Sequence, residues 1–421
     1  MSERVLLLAS TTSYRADDFA AAARRLGVTA VLGTDRCHQL AEVWDRSAFG
    51  GSLQLELRSE EAAAAAIVQE ARVTPYAAIV PTDDPTAEVA ALAARALGLR
   101  GNSPEAARTA RNKRLLREAL GAGGVPSPAY QVFGEDEAAE SALAQVRFPC
   151  VLKPLLCSAS RGVMRADDAH SFGVAWRRLV ALLATPALRA VEDPDGHRIL
   201  VEEFVPGREV AVEGILMRGE LQVLALFDKP DPLDGPLFEE TIYVTPSRHA
   251  AALQTQVAEV TARAAAAIGL REGPIHAELR LSPSGPVAIE VAARSIGGLC
   301  ARTLRFGLDG DSLEEIVLRH ALGRPLGSLE RRGAAGVMMI PIPKGGVFHE
   351  VRGVESARAV PLVEDVVISA QPGQVLVPLP EGHSYLGFIF ARAAEPAAAE
   401  EALRRAHAQL AFEIASTLPT R

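Results

Sequence analysis

Residues 273–298, GPIHAELRLSPSGPVAIEVAARSIGG, can pair with themselves in few ways. Ile275–Leu281 alternates apolar and polar side chains, the period of a half-buried strand. Ser282-Pro283-Ser284-Gly285 is a hairpin-type turn, and Val287–Val291 returns as the partner strand. This spacing predicts Glu278 opposite Glu290, with Arg294 just beyond the second strand. Hard oxygen ligands held this way suit Mg²⁺, which takes one or two carboxylates plus nucleotide phosphates. An arginine nearby can meet a phosphate or carboxylate with a planar fork of donors. A surface hairpin with solvated acids carries the same pattern, because charged residues are mostly exposed.

The rest of the chain narrows the classes. Its 421 residues leave room for two or three domains. With 48% hydrophobic and 23% charged residues it reads as an ordinary globular protein. A net charge of −8, with no basic run interleaved with aromatics, gives no support to nucleic acid or anionic membrane as a partner. The apolar run Val5–Ala9 is too short for a signal peptide and reads as a first buried strand. No apolar run approaches a membrane span. Cys37, Cys150, Cys157 and Cys300 form neither a CxxC pair nor a zinc spacing. They are expected to be reduced thiols in a cytoplasmic protein.

The first hundred residues alternate strand and helix. Val5–Ala9, Ala30–Gly33 and Ala77–Val80 read as strands, and Asp17–Leu26, Glu60–Ala71 and Thr86–Leu97 as helices. Such alternation implies a parallel sheet wrapped by helices, with its ligand edge at the carboxyl ends of the strands. The turn after the first strand lacks GxGxxG, so no dinucleotide site is expected there. Ser103-Pro104 opens a helix through Ala107–Leu120, and Gly121–Pro128 breaks it. From Phe148 hairpin-like strands take over, at Cys150–Lys153, Gly162–Arg165, Ile199–Glu203, Glu209–Leu216 and Leu221–Asp228. Helices at Ala169–Leu183 and Ala250–Ile268 interrupt them. Gly333–Arg392 is rich in Gly, Pro and Val, and a final helix is expected over roughly Glu395–Ser416.

Five separated pieces fit one site. Lys113 lies at a helix start in Arg-Asn-Lys-Arg, and Lys153 ends the strand Cys150-Val-Leu-Lys. The loop Leu156-Cys-Ser-Ala-Ser-Arg-Gly-Val163 follows, then Leu200-Val-Glu-Glu-Phe-Val-Pro-Gly207 leading into Arg208–Glu213. The Glu278/Glu290/Arg294 hairpin is the last. In this order the pieces resemble the ATP-grasp superfamily, and within it the carboxylate–amine ligases similar to bacterial L-amino-acid ligases. The resemblance extends to Phe227-Asp-Lys-Pro-Asp-Pro-Leu-Asp-Gly-Pro236, to Glu239-Glu-Thr-Ile-Tyr-Val-Thr-Pro-Ser247 and to the C-terminal segment.

The resemblance implies a multidomain α/β and α+β fold. Residues 1–105 would form a parallel α/β pre-ATP-grasp domain, 106–328 a two-lobed ATP-grasp domain, and 329–421 a ligase-type α+β domain. Lys113 and Lys153 would set ammonium groups against the α- and β-phosphates of ATP. Ser158, Ser160 and Gly162 would close over the γ-phosphate, in a loop with less glycine than the family's usual one. Glu202, Glu203, Phe204 and Val205 resemble the interdomain hinge that meets adenine, and Glu209 is the candidate for the ribose hydroxyls. Glu202 and Glu209 fit solvated strand positions as well.

Glu278 and Glu290 become the ligands of Mg²⁺, with Mn²⁺ an alternative. Ala292 fills the place where many ATP-grasp enzymes have asparagine, leaving Glu290 to bridge two ions or water to replace the missing oxygen. Arg294, Gly297 and Gly298 would bind the substrate carboxylate and its acyl-phosphate, and Lys153, Ser160 and Arg294 form the implied catalytic set. Glu240 and Tyr243 fall at the implied substrate pocket, where a carboxylate could hold an ammonium, and Lys229 is similar. His276 shares the outward face of its strand with Glu278 and reads either as a phosphate or substrate contact or as a structural histidine. Cys300 reads as buried filler.

The activity so implied is ATP-dependent joining of a carboxylate to an amine, with amino acids as the expected substrates, through an acyl-phosphate with release of ADP and phosphate. Purine-pathway ligation, bicarbonate activation of the biotin-carboxylase type and a non-catalytic ATP-binding module are the alternatives. The partners implied are small-molecule carboxylates and amines, and ligases of this resemblance are commonly homodimers.

Overall fold

The computed structural model describes residues 3–10, 13–35 and 46–416. Strand β1 (Arg4–Leu8) is apolar on both faces, the mark of a central parallel strand. It pairs in parallel with β2 (Thr29–Thr34) and β4 (Ala78–Pro81), and β3 (Ser52–Gln54) adds to β2. Helices α1 (Ala16–Arg25), α2 (Glu60–Ala71) and α3 (Asp84–Leu97) connect them. The left-handed Gly98 (φ +66) ends α3, a conformation open to glycine at little cost.

The single helix expected through Leu120 is instead two, α4 (Pro104–Arg111) and α5 (Lys113–Ala122). Asn112 leaves helical geometry (ψ 112), and its side chain accepts the N–H groups of Arg114 and Leu115. An asparagine cap thereby restarts the helix and sets Lys113 at its first position.

A four-stranded antiparallel sheet ordered β5-β8-β6-β7 forms the next lobe. Its strands are β5 (Tyr130–Gly134), β6 (Cys150–Pro154), β7 (Met164–Ala166) and β8 (Arg198–Glu203). Helices α6 (Ala139–Leu143), α7 (Ala169–Leu183) and α8 (Pro186–Arg189) accompany it. Phe172, Trp176 and Leu179 of α7 bury against Leu152 and Val201 of this sheet.

The central elements are β9 (Arg208–Met217), β10 (Glu220–Asp228), β11 (Ile242–Thr245), α9 (Ala251–Ile268), β12 (Gly273–Ser282) and β13 (Gly285–Ala292). A short ladder, β14 (Arg305–Phe306) with β15 (Asp311–Ser312), leads to α10 (Leu313–Ala321). Then come β16 (Ala334–Ile340), β17 (Gly346–Arg352), α11 (Val354–Arg358), β18 (Val363–Ile368), β19 (Val375–Leu376), β20 (Gly387–Ala393), α12 (Pro396–His407) and β21 (Ala411–Ala415).

One eight-stranded sheet, ordered β13-β12-β9-β10-β11-β16-β20-β18, runs across the expected boundary at 328/329. The joint is β11, antiparallel to β10 on one side and to β16 on the other. The final helix is also shorter than expected. It stops at His407, and Ala411–Ala415 pairs with β17 as a strand in which Phe412 and Ile414 turn to the core. Among the described residues no helix is long and apolar enough to cross a membrane. Cys150, Cys157 and Cys300 are free thiols, and Cys37 lies outside the described residues.

Candidate active site

The carboxyl edge of the parallel sheet, the antiparallel lobe and the eight-stranded sheet converge on one cavity of about 970 Å³. Such a volume stands at the upper end of the ~300–1,000 Å³ usual for ligand pockets. Every site residue expected from the sequence lines it except Gly162 and Lys229. The C-terminal segment closes one side with Met339, Ser369, Gln374, His383, Ser384 and Tyr385.

The hairpin register sets Glu278 directly opposite Glu290. Two carboxylates so paired, both facing the cavity, fit a hard divalent cation that keeps its remaining positions for other oxygens. Glu278 is also part of a second cluster. Lys229, buried to 4% exposure, donates from Nζ to Glu209 Oε1 (2.6 Å), to Glu278 Oε1 (3.0 Å) and to Glu240. Tyr243 donates its hydroxyl to Glu240 Oε1 at 2.6 Å. Glu209, Glu240 and Glu278 each bring an oxygen within 4.8 Å of the others, and the ammonium of Lys229 between them offsets their repulsion. Burial and the Glu278 charge outweigh Lys229 at Glu240 and lift its pKa to about 7. At Glu278 burial is outweighed instead, by Lys229 and His276, and its pKa falls well below the usual carboxylate range.

These contacts show that neither Glu209 nor Glu240 is a solvated surface acid. Both oxygens of Glu209 accept from side chains, Oε1 from Lys229 and Oε2 from Arg280 Nε at 3.2 Å, so a ribose hydroxyl would share them. Glu240 is neither an exposed loop acid nor a lone ammonium receptor, since Lys229 and Tyr243 already hold its Oε1.

His276 is buried between acids. Its Nδ1 lies 3.2 Å from Glu213 Oε2 and its Nε2 3.6 Å from Glu278 Oε1. Burial opposes the charged ring, but hydrogen bonds and charge from Glu213 and Glu278 prevail and raise its pKa to about 9. The folded value exceeds the unfolded 6.5, so this stabilisation is complete below that pH and is lost as pH rises through about 9. In the metal-free protein, NMR titration of the ring is expected to give a midpoint near 9. Glu213→Gln is expected to lower it by about 1–3 units, the effect of losing one close opposite charge. An unmoved midpoint would remove Glu213 as the cause.

Lys113 and Lys153 are buried, not solvated. Lys113 Nζ donates to the Cys157 carbonyl at 2.5 Å. Lys153 pairs with Glu202, which also accepts from Arg117 Nε (3.1 Å) and Nη2 (2.9 Å). Glu202 is therefore a buried ion-pair centre rather than a solvated strand residue, and the two cations outweigh burial to hold its pKa down. Arg117 was not read from the sequence, because in Leu-Arg-Glu it looks like any helix-surface arginine.

The loop between β6 and β7 uses left-handed backbone at Ala159 (φ 54) and Ser160 (φ 55), where glycine would be expected. Gly162 departs from its expected role, since its N–H donates to the Pro380 carbonyl at 2.7 Å. Arg161 Nε donates to the Glu381 carbonyl at 3.0 Å, so the C-terminal segment clasps this loop. In the hinge, Phe204 lies beneath the guanidinium groups of Arg165 (4.0 Å) and Arg280 (4.9 Å). Glu203 accepts the Ala129 N–H at 3.2 Å, and the Val205 carbonyl accepts from Arg280 Nη1 at 3.0 Å.

Arg294 is not free either. Its Nη2 donates to Asp84 Oδ2 at 2.7 Å and its Nη1 to the Ser295 carbonyl at 2.9 Å. Gly297 has open space where a Cβ would stand, whereas at left-handed Gly298 (φ +58) a Cβ would come within 2.9 Å of Phe388. Cys300 is buried, which raises its thiol pKa to about 12, as suits filler rather than a nucleophile.

The chain matches three family models in succession. Residues 20–101 match the ATP-grasp N-terminal domain, 146–303 the ATP-grasp domain, and 338–415 the L-amino acid ligase C-terminal domain 2. It is 28% identical over 270 residues to the alanine–anticapsin ligase of Bacillus subtilis, covering 60% of this chain and 56% of the other. It is 31% identical over 202 residues to the dapdiamide A synthase of Enterobacter agglomerans, covering 47% and 45%. The chain thus spans about half the length of these curated relatives. The crystal structure of an L-amino acid ligase from Bacillus licheniformis superposes with a TM-score of 0.80 at 24% identity, over 99% of both chains. The chain therefore carries an ATP-grasp N-terminal domain, an ATP-grasp domain and, beyond these, a C-terminal domain of the L-amino acid ligase kind.

Proposed function

We propose that this protein is an ATP-dependent carboxylate–amine ligase that joins amino acids, releasing ADP and phosphate. The observation that carries the reading is a single cavity in which Lys113, Lys153, the facing pair Glu278/Glu290 and Arg294 meet. The named activities of the alanine–anticapsin ligase and the dapdiamide A synthase support the choice of substrates.

In the first step an oxygen of the acid's carboxylate attacks the γ-phosphorus, and the bond to ADP breaks. In the second the amine nitrogen attacks the acyl carbon of the mixed anhydride, and phosphate leaves with the C–O electrons and takes up the proton the amine gives up. Lys113 and Lys153 meet the nucleotide phosphates as point charges, and the 156–163 loop excludes water from them. Arg294 and the Gly297-Gly298 turn orient the acid and its acyl-phosphate. The charged His276 ring offsets negative charge beside them. Glu278 and Glu290 would hold Mg²⁺ or Mn²⁺, which supplies charge neutralisation at the phosphates. The residues themselves chiefly position the reactants. We assign residues 1–105, 106–328 and 329–421 as the three functional domains, the last two joined through the common sheet.

The test is a coupled assay with pairs of the twenty amino acids. ADP release that requires an added acid, together with hydroxamate formation from hydroxylamine, is the expected result. ATP binding without turnover across the whole panel would overturn the proposal in favour of a binding module.

A further inference from the structure

The turn that would meet the acid, residues 294–298, is held in place largely by the N-terminal domain. Asp84, the first residue of α3, accepts from Arg294 Nη2 at 2.7 Å, although 210 residues separate the two. Arg15, just before α1, donates from Nη1 to the Ile296 carbonyl at 2.9 Å and to the Ser295 hydroxyl. Its Nη2 donates to Glu314 Oε1 at 2.7 Å, in an ion pair almost wholly removed from solvent. From the other side Glu213 Oε2 accepts the Ile296 N–H at 2.9 Å. Asp84 and Arg15 both stand at the carboxyl edge of the parallel sheet, after β4 and β1 respectively.

We propose that Asp84, supported by Arg15, is a positioning residue for Arg294 in the ligation reaction, a role that rests on the function proposed above. A guanidinium is a rigid planar fork. With one nitrogen fixed on Asp84 and another on the Ser295 carbonyl, its remaining N–H donors keep one orientation toward the cavity. The N-terminal domain thus helps to shape the acid site as well as flank it. Two other roles make different predictions. As a place-holder, Asp84 would compete with the acid for Arg294. As a mere structural tie, it would affect only stability.

The variants Asp84→Asn and Asp84→Glu separate these roles when full steady-state kinetics are set beside thermal denaturation and ATP affinity. For Asp84→Asn we expect an unchanged ATP affinity, a Tm lowered by loss of the charge paired with the largely buried Arg294, and kcat/KM for the acid reduced about tenfold to a hundredfold, mainly through kcat, as for a misplaced reacting group. Asp84→Glu restores part of that loss. Arg294→Lys combined with Asp84→Asn is no worse than Arg294→Lys alone, because coupled residues do not add. A lowered KM for the acid at unchanged kcat overturns the proposal in favour of competition. A fall in Tm with unchanged kcat overturns it in favour of a structural tie. Wild-type-like kinetics in Asp84→Asn overturn the positioning role alone, whereas a wild type inactive on every acid overturns the ligase reading and this role together.

Discussion

Glu290→Gln is expected to abolish ligation and leave the protein folded. Glutamine keeps the shape of the side chain and removes the charge facing Glu278 across the hairpin. The loss of several kcal/mol of transition-state charge stabilisation corresponds to a fall in kcat of about a thousandfold or more. Glu290 acts on Arg294 through its charge alone, with no ion pair within 4 Å among the described residues, so thermal denaturation of the metal-free variant should stay close to the wild type. Phosphate release within tenfold of the wild-type rate would discredit the assignment of the facing pair.

Lys229→Met is expected to be the most damaging change to stability. It leaves Glu209, Glu240 and Glu278 converging without the ammonium that each of them contacts. Removing one partner from a buried ionic cluster costs about 3–5 kcal/mol. The sign of the pH effect follows from the acids left behind. Glu240, which burial and the Glu278 charge already lift to about 7, then loses the ammonium that contacts it, so its folded pKa rises further above the unfolded one and the variant regains stability as pH falls and loses it as pH rises. Urea denaturation at pH 8 and at pH 6 is the check. Equal destabilisation at both pH values, or none, would show that Lys229 does not neutralise the cluster.

The sequence was most legible where its period is local. The β12–β13 hairpin follows from alternation and a turn, and with it the facing of Glu278 and Glu290. The parallel sheet follows from apolar runs closed by helices, as at Val5–Leu8. Short or competing signals were harder. Ala411–Ala415 follows an alanine-rich helix and has too few residues to declare its alternation, yet it finds β17 as a partner. Asn112 sits inside an apolar helical period, and only its side-chain caps reveal the break. The cavity's residues were legible through their motifs, but their pairings were not. Arg117 with Glu202, and Asp84 with Arg294, are contacts between distant segments, and a lone chain does not distinguish a charge that ends up paired in the interior from one left on the surface.

The continuous eight-stranded sheet has a consequence for how this chain can change. Severing the chain near residue 328 would strip β11 of its neighbour β16 and bare a row of backbone donors and acceptors. Naked edges of this kind recruit other chains. The C-terminal portion is therefore a poor cassette for shuffling between homologues, and new selectivity is better sought by altering side chains such as Met339 and Tyr385 within an intact scaffold.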